Sequence, residues 1–291
     1  EVHHTGCAGI RVKTDPQPSK PETWAANYTM YDVSIHDCYI HDAGGEGMYI
    51  GYTGWSTDHW PEVPGFESHE ILGLQVYNNL IERTSWDGFQ IASAPDPDIT
   101  AVYNNVVIHS GLSGEAGQSN GVQIGAGGAG RFHDNIIIDS VGNNLAMFGV
   151  GDNAIYNNLL IEGENGVFAD NRPNPPLADS TARQTIPGTY YSFYHNTIIN
   201  PAVNAFWSMS EVNVTNFKNN VSLVPNLAGT DARAENGAVI ATAGNLLLRT
   251  PDDANFADPA NYDYRILPGS AAIDIGVSLA AADFPVTTDI E

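Results

Sequence analysis

Apolar and polar residues recur in a short block along most of the chain. Each copy has an apolar residue, two polar residues, Asn, one variable residue and a second apolar residue. Alternation over such short stretches predicts β-strands, and the Asn and Gly in every window argue against helices. The copies are Val76–Ile81, Val102–Val107, Phe132–Ile137, Ile155–Leu160, Phe193–Ile198 and Phe217–Ser222, and an earlier one, Ile35–Ile40, has Cys38 in place of the Asn.

A second block follows the first at a nearly constant distance. It contains a turn residue, Gly, an apolar residue, a variable residue and usually another apolar residue. The fourth positions of successive first blocks lie 23 to 41 residues apart, so a fixed unit carries loops of variable length. This predicts a solenoid of three-stranded coils, in which the fourth-position Asn side chains hydrogen-bond from coil to coil as a ladder. The second blocks start at Ala8, Glu46, Asp87, Asn120, Asn143 and Asn165, with weaker copies at Asn204 and Asn236.

These repeats resemble those of right-handed parallel β-helix proteins of the pectate-lyase-like superfamily, including the Asn ladder at a tight turn. The resemblance covers about residues 2–248. It implies an all-β, single-stranded right-handed parallel β-helix of about eight coils over residues 1–245, followed by an irregular C-terminal cap over residues 246–291. The superfamily includes lyases, hydrolases, epimerases, phage spikes and adhesins, so the fold leaves the activity open.

The segment Asp263–Asp274 resembles the closing segment of secreted bacterial β-helix proteins, which usually continue into an anchoring or sorting region. At the other end, Val2 aligns with a position partway round a coil. From both features we expect a fragment, cut mid-coil at its N-terminus, of a longer bacterial protein that is secreted or held at the cell surface.

Composition narrows the class of partner. The 291-residue chain has 11 basic and 34 acidic side chains, a formal net charge of −23, and its basic residues form no cluster. Such a chain repels phosphate backbones, so nucleic acid is not an expected partner. No apolar run is long enough to predict a membrane span. Cys7 and Cys38 fall in different turn columns and are not expected to form a disulfide.

In each coil the strand after the Gly carries one outward-facing residue, and in the resembled enzymes this strand lines the polysaccharide groove. The aligned column is polar in its first half, which makes that half the candidate substrate-binding surface. A loop nearby, residues 52–68, contains Trp55 and Trp60, whose rings can stack on sugars; the alternative is that they pack the loop onto the solenoid. The column runs through Arg11, Tyr49, Gln90, Gln123, Ala146, Phe168, Trp207 and Val239.

Glu46 and Asp87 occupy the same turn position in adjacent coils. Because coils are spaced by about 4.8 Å, the two carboxylates are predicted to lie close enough for a retaining glycosidase pair. Joined by Asp42, they are also candidate ligands of Ca²⁺. The alternative is a purely structural role, since later coils carry Asn, a turn former, at this position.

Cationic and other ionisable side chains near the column extend the candidate site. Arg11 and Lys13 lie on one strand face and can bind a uronic acid, with Arg83 as a further candidate for substrate binding. Tyr49 with His41 can serve as the base and acid of a β-elimination. The alternatives are a solvated edge pair for the cations and a hydrogen-bonded loop residue for the histidine.

Two classes of function remain open. The first is an extracellular carbohydrate-active protein that binds an acidic polysaccharide and cleaves it as a lyase or a glycoside hydrolase. The second is a non-catalytic adhesin, filament or matrix component that uses the solenoid as a stiff scaffold, through self-association or surface anchoring. No complete catalytic signature is present. Ionisable side chains nevertheless concentrate on one strand face of the first three coils, which favours the first class.

Overall fold

The computed structural model describes residues 1–53, 68–149, 152–170, 190–210 and 214–279. Within them the chain winds repeatedly through three parallel sheets, each of which receives one short strand per coil. Sheet I consists of Val2–His3, Tyr39–His41, Leu80–Glu82, Val106–Ile108, Ile136–Ile138, Leu159–Ile161, Thr197–Ile199, Val221–Leu223 and Leu246–Leu248. Sheet II consists of Ile10–Val12, Met48–Ile50, Phe89–Ile91, Val122–Ile124, Leu145–Met147, Val167–Ala169, Phe206–Ser208 and Ala232–Ala234. Sheet III consists of Ser34–His36, Gln75–Tyr77, Ala101–Tyr103, Gly130–His133, Asn153–Tyr156, Tyr190–Tyr194, Val214–Lys218 and Ile240–Ala243.

The sheets stack in register, so that equivalent residues of successive coils lie directly above one another. In sheet I, for example, Ile40 pairs with Ile81 and Ile81 with Val107, and all three side chains are buried. One coil cannot bury such residues alone, whereas stacked coils join them into one continuous core. The predicted all-β parallel β-helix is therefore confirmed.

The turn from sheet III to sheet I explains the first block of the sequence repeat. Its third residue adopts a left-handed conformation with φ near +54°, as at Asn78 and Asn104, which Asn and Asp tolerate better than most residues. Its fourth residue points inward and forms the predicted ladder. The Nδ2 atom of Asn79 donates to the Oδ1 atom of Asn105 at 2.9 Å, and the same bond continues through Asn135, Asn158, Asn196, Asn220 and Asn245.

The segment of residues 251–266 folds back over the outer face of sheet I. A short helix, Pro251–Ala254, leads into an antiparallel pair formed by Phe256–Asp258 and Asp263–Ile266, with a 3₁₀ turn at Pro259–Asn261 between them. Phe256 packs against outward apolar residues of the later coils, among them Ile199. The last solenoid strand, Leu246–Leu248, lies just past the boundary predicted at residue 245.

The first long connection is also ordered by its own contacts. It contains a 3₁₀ turn, Pro21–Thr23, and ends in the strand Thr29–Tyr31, which pairs in parallel with Glu70–Leu72. The indole Nε1 of Trp24 donates to the backbone oxygen of Gln17 at 2.8 Å. None of the helices in the described part of the chain is long and apolar enough to cross a membrane.

The prediction for the last coil of sheet II is wrong. Val239 was expected to end the outward column, but it is 71% exposed in the connection just before the strand Ile240–Ala243, and Arg233 takes the position beside Trp207. The Asn236-Gly237 pair resembles the start of a second block, but it forms an ordinary turn in which Asn236 is left-handed. The repeat was therefore assigned to the wrong residues. In the true copy, Asp231 replaces the Gly, so the block lacks its most recognisable residue.

Candidate functional site

A second ladder of polar side chains runs along the turn between sheets I and II. It occupies the position before the Gly of the second sequence block. The Nδ2 atom of Asn143 donates to Asn120 Oδ1 at 2.9 Å, and that of Asn165 donates to Asn143 Oδ1 at 3.0 Å. Asn204 and Thr230 continue the series. The repeats indicated a turn-forming column here, but not that its side chains bond to one another.

This second ladder ends at its N-terminal side in two carboxylates. Asp87 Oδ1 accepts the backbone N–H of Asn120 at 2.7 Å and its side-chain amide at 3.2 Å. Glu46 lies one coil further, directly in register, because the N–H of Gly47 donates to the backbone oxygen of Asp87. The structure therefore places the two predicted carboxylates in adjacent turns, as expected from the sequence.

A chain of amides joins Glu46 to the outward column of sheet II. The side chain of Gln90 donates to Glu46 Oε1 at 2.9 Å, and that of Gln123 donates to Gln90 Oε1 at 3.0 Å. Glu46 and Asp87 are only 1% and 0% exposed. Within the described residues, Glu46 Oε2 and Asp87 Oδ2 are buried and have no hydrogen-bond partner. An unpartnered buried carboxylate oxygen is costly and calls for an explanation.

Burial sets the protonation of both acids. Loss of solvent raises the pKa of Asp87 to about 7, against the lowering effect of the two bonds from Asn120 and with a smaller upward contribution from the Glu46 charge. Burial likewise raises the pKa of Glu46, against the lowering effects of its own backbone and of Lys13 and Arg11. Near neutral pH the pair can therefore hold a proton, as an acid catalyst must.

Two cations border the acids on the outward side of sheet II. Arg11 is exposed, and Tyr49 beside it in the column is half-buried. The Lys13 Nζ atom lies 3.8 Å from the centre of the Tyr49 ring and 2.7 Å from Asp15 Oδ1. The phenol of Tyr49 bonds to the Thr53 hydroxyl at 2.8 Å. Arg11, Lys13, Tyr49 and Gln90 thus come together as the sequence predicts.

His69 belongs to the same region, and sequence reasoning missed it. It is fully buried, and in the described part of the chain neither ring nitrogen has a hydrogen-bond partner. Burial lowers the pKa of His69, with smaller influences from Thr14, Asp15 and Lys13. The side chain is therefore neutral near pH 7. It precedes Glu70–Leu72, a strand outside both repeat blocks, so no alignment of coils could have placed it.

His41, Asp42 and Arg83 form a separate cluster on sheet I. His41 Nδ1 lies 2.6 Å from Asp42 Oδ2, and Arg83 Nε donates to Asp42 Oδ1 at 2.8 Å. Arg83 also pairs with Glu82, which accepts the hydroxyl of Tyr39. His41 therefore has its own partners on sheet I, whereas Tyr49 lies on sheet II. The structure does not bring the proposed base and acid together.

The predicted calcium set is not assembled either. In the described residues no group of three or more His, Cys, Asp or Glu side chains is arranged to hold a metal ion. Asp42 does not join Glu46 and Asp87, because it follows the end of a sheet I strand in a left-handed conformation and is held by Arg83 and His41. These contacts also keep the pKa of Asp42 well below its usual range, Arg83 having the larger effect.

The remaining predictions differ in outcome. Trp55 and Trp60 lie outside the described residues, so their role stays a prediction. Gln123 is at its expected place in the column but is largely buried, as is Gln90. Cys7 and Cys38 are both free thiols, as expected.

Comparisons with known proteins give limited information. No family model and no curated protein sequence matches the chain. Among solved structures, the chain is similar to the A-module of the mannuronan C-5 epimerase AlgE4 of Azotobacter vinelandii, with 12% identity and a TM-score of 0.43. The match covers 75% of this chain and 55% of the other, so the chain spans about half of that structure. Proposals about function therefore depend on this chain's own residues.

Proposed function

We propose that this chain is an extracellular carbohydrate-active protein that binds an acidic polysaccharide beside sheet II and cleaves it at Glu46 and Asp87. One observation carries the proposal. A ladder whose members from Asn120 to Asn204 are all Asn changes to two carboxylates at two adjacent coils, and within the described residues each carboxylate keeps an unpartnered buried oxygen. Two of only 11 basic side chains, Arg11 and Lys13, lie close enough to influence Glu46.

The charge distribution suits an anionic substrate. A chain of net charge −23 repels anions over most of its surface, whereas Arg11 and Lys13 supply local positive charge. The raised pKa values of Glu46 and Asp87 reduce repulsion further, because a protonated carboxyl carries no charge. A uronate group can therefore approach this part of sheet II.

Two reactions fit the residues, and the product distinguishes them. In hydrolysis, one acid of the Glu46–Asp87 pair protonates the leaving oxygen, and the other acts as a nucleophile or a general base. In β-elimination, Arg11 or Lys13 neutralises the uronate while a base removes the C5 proton. The C4=C5 double bond forms as the C4–O bond breaks, and the leaving oxygen takes a proton from an acid. Tyr49, whose ring centre lies 3.8 Å from Lys13 Nζ, and the buried His69, whose pKa Lys13 influences, are the candidate bases on that side.

The test is a panel of anionic and neutral polysaccharides, incubated with the protein in calcium or in chelator. Unsaturated products are followed by absorbance, and reducing ends are measured in parallel. Reducing ends without unsaturation indicate a hydrolase, whereas unsaturated ends indicate a lyase. The chelator arm tests the calcium prediction, which now rests on Glu46 and Asp87 without Asp42.

Three variants locate the reaction. Glu46→Gln and Asp87→Asn should each lower turnover at least a hundredfold, the usual scale for loss of an acid or base catalyst. Asp231→Asn is the matched control, because Asp231 is a half-buried acid at the far end of sheet II whose pKa is also raised by burial. Full activity in Glu46→Gln and Asp87→Asn, or no product from the folded wild type across the panel, would overturn the cleavage proposal.

A non-catalytic scaffold is the second candidate, and one observation favours it. Asp87 accepts the backbone N–H of Asn120 as an ordinary ladder member would, and both acids are almost inaccessible in this structure. A scaffold predicts no product on the panel and no rate change in either variant. Self-association or surface anchoring would then be measured by sedimentation and by fractionation of producing cells.

A further inference from the structure

The outward column of sheet II changes character in its last coils. Beyond Ala146 it continues through Phe168 and Trp207 to Arg233. Both aromatic side chains are half-buried, although they lie on the outer face of the sheet. Inward neighbours such as Phe206 already fill the core, so core packing does not require large rings on the outside.

The rings form a contiguous platform, which we define as Phe148, Phe168 and Trp207. The centres of Phe168 and Trp207 are 4.8 Å apart with a tilt of 45°, and Phe148 meets Phe168 edge-on at 5.9 Å. Polar contacts hold the indole in place, since Trp207 Nε1 donates to Glu235 Oε2 at 3.2 Å. Glu235 is in turn paired with Arg233, whose guanidinium carbon lies 5.4 Å from the Trp207 ring.

A second aromatic column shows why the tilt matters. On sheet III, His36, Tyr77, Tyr103, His133 and Tyr156 stack with interplanar angles of only 4° to 6°. Rings in such a stack cover one another's faces and present only edges to a ligand. In the platform the rings are inclined by 45° and are partly exposed, so they do not cover one another's faces completely, and sugars bind aromatic side chains through ring faces.

We infer that the platform is a second polysaccharide-binding site, which takes pyranose rings of the same acidic chain. This inference shares its ligand class with the proposed function. Arg233 supplies a cation for a uronate, in an otherwise acidic molecule. Tyr49 and Trp207 belong to one column and are five strand steps apart, which at about 4.8 Å per step is roughly 24 Å. A long polysaccharide can reach both positions, whereas a short fragment cannot.

The test compares long and short ligands in four folded variants. Retention by acidic polysaccharide is measured by affinity electrophoresis, and turnover is measured on short fragments of the same polymer. Trp207→Ala and Phe168→Ala should each weaken retention about tenfold and leave turnover of short fragments unchanged. Arg233→Glu should weaken retention by acidic but not by neutral polymers. Tyr103→Ala, in the coplanar stack of sheet III, is the matched control and should be retained like the wild type.

The outcomes separate this inference from the cleavage proposal. Retention that depends on Trp207, in a wild-type protein that releases no product, would support the platform and contradict cleavage at Glu46 and Asp87. Equal retention of Trp207→Ala and wild type, or no retention of wild type by any acidic polymer, would overturn the inference. Should Trp207→Ala lose its thermal transition, Trp207→Phe decides, because it keeps a ring face and should retain most of the affinity.

Discussion

The solenoid has two lines of tight turns, and different rules govern the side chains along them. Between sheets III and I, every ladder member from Asn79 to Asn245 is Asn, and each amide bonds to the next. Between sheets I and II the ladder consists of amides only from Asn120 to Asn204. Thr230 follows them, and the carboxylates of Asp87 and Glu46 precede them. An Asn can donate and accept at once, whereas a carboxylate can only accept.

The two ladders therefore differ in whether folding alone explains their residues. The first ladder satisfies its polar atoms, so its sequence is explained by folding alone. In the second ladder, the two acids have buried oxygens without partners among the residues that the structure describes, and their pKa values are raised. Folding would be served better by Asn at position 87. The proposed catalytic role explains why the chain has, at this place, a residue type that costs stability although the same fold accepts Asn.

The largest effect is expected in the first ladder. Asn135→Ala removes its bonds to the backbone of Val102 and to Asn158, and leaves Asn105 without its acceptor. We expect a loss of about 3–5 kcal/mol, since several buried groups lose partners together. Chemical denaturation measures it. Asn143→Ala in the second ladder, where Asn143 is half-buried, should cost only about 1 kcal/mol; equal costs would mean that the ladders are equivalent.

The second largest effect is a gain in stability, expected for Asp87→Asn. Asp87 has a folded pKa of about 7 against an ordinary value of 3.8, so the native state binds the extra proton between these values. Stability therefore falls as the pH rises from about 4 to 7, by at most about 4 kcal/mol. Asp87→Asn lacks this titration and should be more stable than wild type at pH 8 but similar at pH 4. A variant that is less stable than wild type at pH 8 would show that the carboxylate is paired.

Glu46→Gln should act in the same direction but less strongly. Burial raises the pKa of Glu46, while its own backbone, Lys13 and Arg11 oppose the shift. Its stability contribution is thus present below its unfolded pKa and declines as the pH rises through the folded value. The Gln variant should flatten that decline, and it keeps an acceptor for the Gln90 amide. Unfolding midpoints of wild type and Glu46→Gln are compared from pH 4 to 9. If the midpoint falls equally steeply with pH in both proteins, Glu46 does not titrate in this range.

The smallest effect is expected on sheet I. Hydrogen bonds to Asp42 and then Glu1 raise the pKa of His41. Its contribution is therefore full below the unfolded value near 6.5 and disappears as the pH rises through the folded value. His41→Gln should lower the unfolding midpoint slightly at pH 6 and not at pH 9. His109→Gln serves as the control, because the His109–Asp139 pair is about half exposed; an identical pH profile in both variants would remove any special role for the His41 cluster.

Much of the fold could be predicted from the sequence, for a specific physical reason. The tight turn between sheets III and I needs a left-handed residue and an inward amide in every coil, so Asn recurs with little freedom. The outward column of sheet II is less constrained. The sequence therefore predicted Val239 for its last position, which Arg233 occupies in the structure. In-register stacking, rather than the letters of the repeat, decides which residue follows Trp207.

The candidate site was only partly predictable. Glu46 and Asp87 share a repeat position, so their proximity followed from the spacing of coils. His69 and the pairing of Asp42 with Arg83 did not follow, because both depend on contacts outside the repeat blocks. The tilt of the Phe168 and Trp207 rings also depends on side-chain packing, which no repeat specifies.

The central claim is that Asp87 is an acid kept for chemistry at a position where folding favours an amide. The most direct measurement compares wild type and Asp87→Asn by thermal unfolding at pH 8, where Asp87 is ionised, and by polysaccharide cleavage at pH 6, where Asp87 holds its proton. The account predicts a variant with a higher unfolding midpoint and at least a hundredfold less product. A variant that is as active as wild type, whatever its stability, would contradict it.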